Sequence, residues 1–244
     1  DGQEKFGADA IPAGALMVKI IRSPHHRAAF QLGDIDGFVA GHSGIVAVMT
    51  ARDIPGVNLH GVIPQFADQP VFAETETRYR GEAVAMIVGE QDAIADLHIG
   101  DFPVLWEQLP HALGCADAMA PDAPLLHDTR AGNVMVEGLV CKGDAPGALN
   151  TAAHVVERSF STPFIEHAYI EPEAGYAIPK NGRIEVHACT QAPVMDLDSL
   201  EIILGIDRKN IRIVPTGVGG GFGSATWVNG AFVGTYTAGF ASSL

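Results

Sequence analysis

The chain has 244 residues, 47% of them hydrophobic, enough for one large domain or two ordinary ones with packed cores. Fifteen basic against twenty-nine acidic residues give a formal charge of −14, which repels phosphate backbones and anionic lipid headgroups. Cys115, Cys141 and Cys189 are odd in number and far apart, which argues against a disulfide framework or a CxxC metal or iron–sulfur arrangement; three buried, reduced thiols are expected.

No charged n-region followed by an apolar run opens the sequence, so a cytoplasmic location is expected, although a start on Asp1 rather than Met leaves an upstream leader open. The first half alternates short strands and turns. Residues 16–22 (LMVKIIR), 44–50 (GIVAVMT) and 83–89 (AVAMIVG) are apolar, β-rich runs of strand length bounded by Gly, Pro or charge. Residues 91–99 can make about two helical turns, and 102–107 (FPVLWE) return to extended chain. From 109 to 133 the composition shifts to Pro, Ala, Asp and Gly, which suits a connection between domains. Strands are expected at 154–161, 174–178 and 183–190, then a helix over 193–204 with Pro193 in its first turn and Gly205 as its stop. Val194, Leu197, Leu200, Ile203 and Leu204 recur along it at helical spacing. Residues 211–214 form a last strand. From Ile213 to the end there is no charged residue, but seven Gly between 217 and 234, Asn229 and several Thr dilute the run below what a membrane span of about 20 apolar residues needs.

The last strand feeds directly into TGVGGGFGS (216–224), five of whose nine residues are Gly. Glycine is used where the backbone takes a conformation that a side chain forbids, or where something approaches it closely. The phosphate loop GxxxxGK[ST] is absent because no Lys follows. The fingerprint GxGxxG fails because counting from Gly217 and Gly219 puts Phe222 where the third Gly belongs. A structural turn and a cofactor loop both stay open. Gln191 sits between the strand RIEVHACT and the following helix, and strand, Gln, helix, strand and Gly-rich loop form one unit. An amide can donate and accept, and so can bond an oxo group or a pterin edge.

The order TQAP, amphipathic helix, NIRIVPTGVGGGFG, preceded by FSTPFIEHAYIEPEAGYAI, resembles the molybdenum-binding large subunit of the xanthine dehydrogenase and aldehyde oxidase family. DGQEKFGAD, IIRSPHHRAAF, ARDIPG, TRYRGEAVAMIVGE, and GNVMVEG followed by KGD sit in the family's order, so the resemblance covers nearly the whole chain. It implies an α+β chain, with an N-terminal α/β hammerhead domain (1–115) followed by the first part of a mixed α/β molybdopterin-binding domain (125–244). It also implies that Gln191 contacts the oxo side of a molybdenum centre and that Gly220, Gly221, Phe222 and Gly223 run beside the pterin. The metal would be held by the pterin's sulfurs, with no protein ligand and no catalytic residue on this chain. The cofactor would be molybdenum–molybdopterin, in the cytosine dinucleotide form in some members. The activity implied is oxidative hydroxylation of an aldehyde or N-heterocycle, with electrons passing through 2Fe–2S clusters to FAD on partner subunits.

Two departures bear on that reading. Where the family continues with Gly or Ser, then Lys, and purine-oxidising members carry a Glu four residues after the loop Phe, this chain has Ser224, Ala225 and Thr226. The family's large subunit is several times longer, and its catalytic Glu, deep in the C-terminal half, has no counterpart here. The expected partner is therefore the remaining portion of that subunit, together with iron–sulfur and FAD subunits, and the chain alone should be inactive. A rival reading is a non-catalytic scaffold of the same fold that binds a partner. Of the other polar clusters, His25, His26 and Arg27 suit a structural turn. His167, Glu171 and Glu173 suit hydrogen bonding near the cofactor better than a metal site, because no second His lies at ligand spacing.

Overall fold

A computed structural model describes residues 2–61, 63–163, 165, 168–171 and 174–221. The chain divides into two compact units, one of residues 1–109 and 167–244, the other of residues 110–166.

In the first unit, β1 (Met17–Arg22), β2 (Ala28–Leu32), α1 (Ile35–Gly41) and β3 (Ile45–Thr50) are followed by β4 (Glu76–Thr77), β5 (Ala83–Gly89), α2 (Gln91–Asp96) and β6 (Val104–Gln108). β5 is the middle strand of an antiparallel sheet in the order β1-β5-β3. Its sequence AVAMIVG is apolar at every position because both faces are covered. Ile21 pairs with Ala85 but Arg22 with Ala83, a bulge that turns Val84 to the same side as Ala85 and Ile87. On that side Ile21, Phe30, Phe38, Ile94 and Phe102 complete a core. Sequence patterning does not predict β2, β4 or α1. The sequence SPHHR before β2 is taken up by its turn: Ser23 Oγ accepts from the His25 N–H, His25 stands edge-on to Trp106, and Arg27 Nε lies 2.7 Å from Glu76.

Later in the chain the same unit takes up β7 (Gly175–Lys180), β8 (Arg183–Ala188) and, after the helix Pro193–Leu204, β9 (Ile211–Pro215), in a sheet ordered β7-β8-β9 with β8 and β9 parallel. The helix crosses over between the two parallel strands. It is shared between two cores: Leu200 packs with Val186, Ala188 and Ile211 over its own sheet, while Ile203 packs with Val71, Phe72, Ala83 and Met86 of the N-terminal sheet. Val194, expected on the buried stripe, is 63% exposed. It belongs to the first turn, beyond the edge of the sheet that the helix covers.

The helix's last carbonyls would be orphans without outside donors. Gly205 (φ 63°) closes the helix by donating to Glu201, and the turn in ARDIPG supplies the rest: the Gly56 and Val57 N–H groups donate to Ile203 and Ile202 at 2.9 and 3.0 Å. A Cβ at Gly56 would come within 2.7 Å of the Gly205 nitrogen and 2.8 Å of the Ile203 oxygen, so only glycine fits this docking. His60 follows this turn and is 3% exposed; burial pushes its pKa down to about 4, against a weaker opposing pull from the Gln69 backbone.

The second unit holds α3 (Cys115–Ala118) and α4 (Ala145–Thr151). Asn133, at φ 56°, organises its first part, donating to the Ala118 and Pro124 carbonyls and accepting from the Leu126 N–H. The strand expected at 154–161 is not formed; Val155, Val156 and Phe160 are 60%, 79% and 92% exposed, because no neighbouring strand lies beside them among the described residues. The thiols also differ from expectation. Only Cys189, at the end of β8, is buried; Cys115 and Cys141 lie in this second unit and are exposed. Among the described residues no helix is long and apolar enough to cross a membrane.

The docking turn and His60 can each be tested. Gly56→Ala should destabilise the protein by about 3 kcal/mol in denaturant unfolding, since it sets a methyl group against backbone and breaks two hydrogen bonds. The unfolded chain takes up a proton on His60 near pH 6.5 and the folded chain only near 4. The stability tied to His60 is therefore complete above 6.5 and is lost as pH falls. Between pH 7 and pH 4 the wild type should lose about 3 kcal/mol more than His60→Leu; equal losses would rule out His60 as the source.

Candidate cofactor site

At the N-terminal end of the shared helix, now α5 (Pro193–Leu204), the chain makes a tight turn through TQAP. Thr190 Oγ accepts the Ala192 N–H at 2.9 Å and donates to the carboxyl of Asp196, in the first turns of α5. Both Thr190 and Asp196 are buried while Gln191 between them is exposed, so its side chain stands out from a fixed base. Pro193 takes a helical position where no backbone N–H is needed.

β9 continues past Pro215 as Thr216 donates to Ala188, and the chain then enters the glycine-rich segment. Each alternate glycine there meets protein. A Cβ on Gly217 would lie 2.6 Å from Glu4 Oε1 and 3.1 Å from the Lys5 oxygen, and one on Gly219 2.6 Å from Glu171 Cβ and 2.9 Å from Ile170. On Gly221 it would lie 2.8 Å from the Gln191 amide carbon and would overlap its oxygen. Val218, between them, is 44% exposed. Gly219 is therefore required by the chain's own close packing, while at Gly217 and Gly221 a side chain would push aside the ends of Glu4 and Gln191. Residues 4–7 of the N-terminal segment belong to this assembly too, with Gly7 closed against Ala174 and near Thr216.

Glu171 is 2% exposed and accepts the Gly219 N–H on Oε2; Oε1 has no partner among the described residues. Of the residues singled out in the sequence, Gln191 and Gly221 are thus brought into contact, and Gly220 lies beside them in the chain. Phe222, Gly223, His167, Glu173 and the tail from Ser224 on lie outside the described residues. Thr190, Asp196 and Lys5 were not singled out. For Asp196 a signal existed: it lies four and seven residues before Leu200 and Ile203, on the buried stripe of the helix.

Elsewhere in this unit a cavity of about 580 Å³ opens between residues 11–16 and strands β1, β5 and β7, with a wall that is mostly apolar. None of Gln191, Gly219, Gly220 or Gly221 lines it. It is separate from the amide and glycine contact.

The fold is that of a hammerhead domain followed by a molybdopterin-binding domain. The domain family described as aldehyde oxidase and xanthine dehydrogenase, a/b hammerhead domain, matches residues 1–110, and the molybdopterin cofactor-binding domain matches residues 126–241. Together the two matches span nearly the whole sequence, and the chain belongs to the xanthine dehydrogenase and aldehyde oxidase family of molybdenum hydroxylases. It is 30% identical over 93% of its length to a probable xanthine dehydrogenase subunit of Bacillus subtilis, of which it covers 30%. It is 29% identical over 91% of its length to the nicotinate dehydrogenase large molybdopterin subunit of Eubacterium barkeri, of which it covers 51%. The fold matches the aldehyde oxidoreductase of Desulfovibrio gigas with a TM-score of 0.83 at 22% identity, over 98% of this chain and 27% of that one. The chain therefore spans between about a third and a half of the length of these two curated relatives.

Removing the Glu171 carboxyl leaves the buried Gly219 N–H without its acceptor. Glu171→Ala should make opening of residues 216–221 easier by about 2 kcal/mol, read as roughly 30-fold faster amide exchange there, with strand β5 unchanged.

Proposed function

We propose that this chain forms the N-terminal, cofactor-facing part of the large subunit of a molybdenum hydroxylase, in which Gln191, Gly220, Gly221, Phe222 and Gly223 contact a molybdenum–molybdopterin group. The observation that carries the reading is the contact between the Gln191 side chain and Gly221, across 30 residues of sequence. The residues fit such a group: an exposed amide on a rigid turn meets a backbone that carries no side chain at 219–221, so a flat ligand can lie flush against the chain.

When bound, the molybdenum–pterin group supplies the oxygen transfer and accepts the electrons of oxidative hydroxylation. The amide of Gln191 donates to an oxygen of the group and orients it. The glycine segment excludes bulk and water from that side of the group. Glu171 and Thr190 hold these two elements and touch no substrate. The general base would lie on a remaining portion of the subunit, and iron–sulfur clusters and FAD on partner subunits would supply the electron acceptors. The substrate class is an aldehyde or an N-heterocycle. The relatives named xanthine dehydrogenase and nicotinate dehydrogenase support the second, and the fold shared with an aldehyde oxidoreductase is compatible with the first. Leu139, Val140 and Phe160, at 91%, 100% and 92% exposure, support a further protein portion covering the second unit.

The test is purification of the chain from its native host. Molybdenum should co-purify in stoichiometric amount with a second large-subunit portion and with iron–sulfur and flavin proteins, whereas the chain expressed alone should hold no pterin and oxidise neither substrate class. In the assembly, Gln191→Ala should lower kcat/KM about 10- to 100-fold. Partners without molybdenum would favour the scaffold reading, and turnover by the isolated chain would overturn the division of labour.

A further inference from the structure

Gln191 is exposed on a turn whose two supports are almost wholly buried: Thr190 keeps 6% of its surface and Asp196 2%. The supports are linked in series. Asp196 accepts from the Thr190 hydroxyl, and the same hydroxyl accepts the Ala192 N–H at 2.9 Å, closing the backbone around Gln191. A buried carboxyl is costly unless it is hydrogen-bonded. This one sits in the first turns of α5, where the helix's partial positive end favours it, so the arrangement is stable without a partner from solvent. A methyl group or an alkyl side chain at 190 would leave the Ala192 N–H without its acceptor and the turn free to re-form. The Gln191 amide meets Gly221 at van der Waals range, so a small rotation of the turn moves it off the glycine segment.

We infer that Asp196, acting through Thr190, is a positioning residue that holds the Gln191 amide against Gly221. Its consequence for cofactor retention rests on the reading of Gln191 as a cofactor contact; its consequence for the turn does not. Asp196 touches neither substrate nor cofactor. The proposed route of its influence on the site is the hydroxyl of Thr190 and the backbone of 190–192.

The experiment uses the purified assembly containing the full chain, as wild type, Asp196→Ala, Thr190→Val, Thr190→Ser and Gln191→Ala. Amide exchange by mass spectrometry is read over residues 189–193, with strand β9 as internal reference, and molybdenum per chain is measured after gel filtration. Asp196→Ala and Thr190→Val should raise exchange at 189–193 about tenfold with β9 unchanged, and should lower retained molybdenum about tenfold, while Thr190→Ser, which keeps the hydroxyl, behaves as wild type. In a Gln191→Ala background, Asp196→Ala should lower molybdenum no further, because its effect passes through the missing amide. Unchanged exchange at 189–193, or losses that add in the double variant, would overturn the inference. If Gln191→Ala alone retains molybdenum like wild type, the cofactor reading fails and the exchange data decide the positioning role by themselves. Should Asp196→Ala not fold, the contrast between Thr190→Val and Thr190→Ser carries the test.

Discussion

The structure depends on how one helix is held. α5 covers the β7-β8-β9 sheet with Leu200 and the N-terminal sheet with Ile203, so a single twelve-residue element belongs to two cores. Its C-terminal carbonyls are satisfied by the turn at Gly56 and Val57, and its N-terminal turn is closed by Thr190 and Asp196. With both ends gripped, α5 can neither slide nor rotate without breaking the hydrogen bonds that hold one end or the other. The turn that presents Gln191 is therefore fixed to the N-terminal sheet as firmly as to its own. Hammerhead and cofactor-facing residues are one packed body in this unit, although far apart in sequence.

The same constraint explains the glycines. Residues 217, 219 and 221 pass in turn against the N-terminal segment, the Ile170 and Glu171 backbone, and the Gln191 amide. At 219 a side chain is blocked by the Glu171 backbone nitrogen and Cβ, whatever ligand is present, while at 217 and 221 it would displace the ends of the Glu4 and Gln191 side chains. Three separate stretches of the chain thus converge on one glycine-rich strand extension, and residues 4–7, Ile170 with Glu171, and TQAP become intelligible as its walls.

Much of this was legible in the residues. β1, β3, β5 and α5 stood out because each buries apolar residues in a run or stripe of the right period, and β6 because of its short apolar run VLW. β2 and α1 did not, because AAFQL is short and IDGFVAG is only seven residues long with two glycines. The run at 154–161 reads as a strand locally, but a strand exists only where another chain segment completes its hydrogen bonds, and none among the described residues does so. Gln191 and the glycine segment could be picked out by type and order, and Glu171 by its cluster with His167 and Glu173, whereas the groups that Glu171 and Asp196 bond, 48 and 6 residues away, could not be read.

Two carboxyl groups, Glu171 and Asp196, are buried within reach of an exposed amide and a glycine backbone. Replacing either by an apolar residue of similar size would save desolvation, so stability alone does not account for them. Each instead accepts from a group whose position matters: the Gly219 N–H in one case, the hydroxyl that closes the Gln191 turn in the other. A ligand that must lie against backbone gains nothing from a strong contact that moves, and gains most when the contacting atoms are fixed before it arrives. Burial makes each acceptor immobile, and hydrogen bonding passes that immobility to one exposed side chain and one bare stretch of backbone. Rigidity at Gln191 and Gly221 is what the cost of burying the two acids maintains.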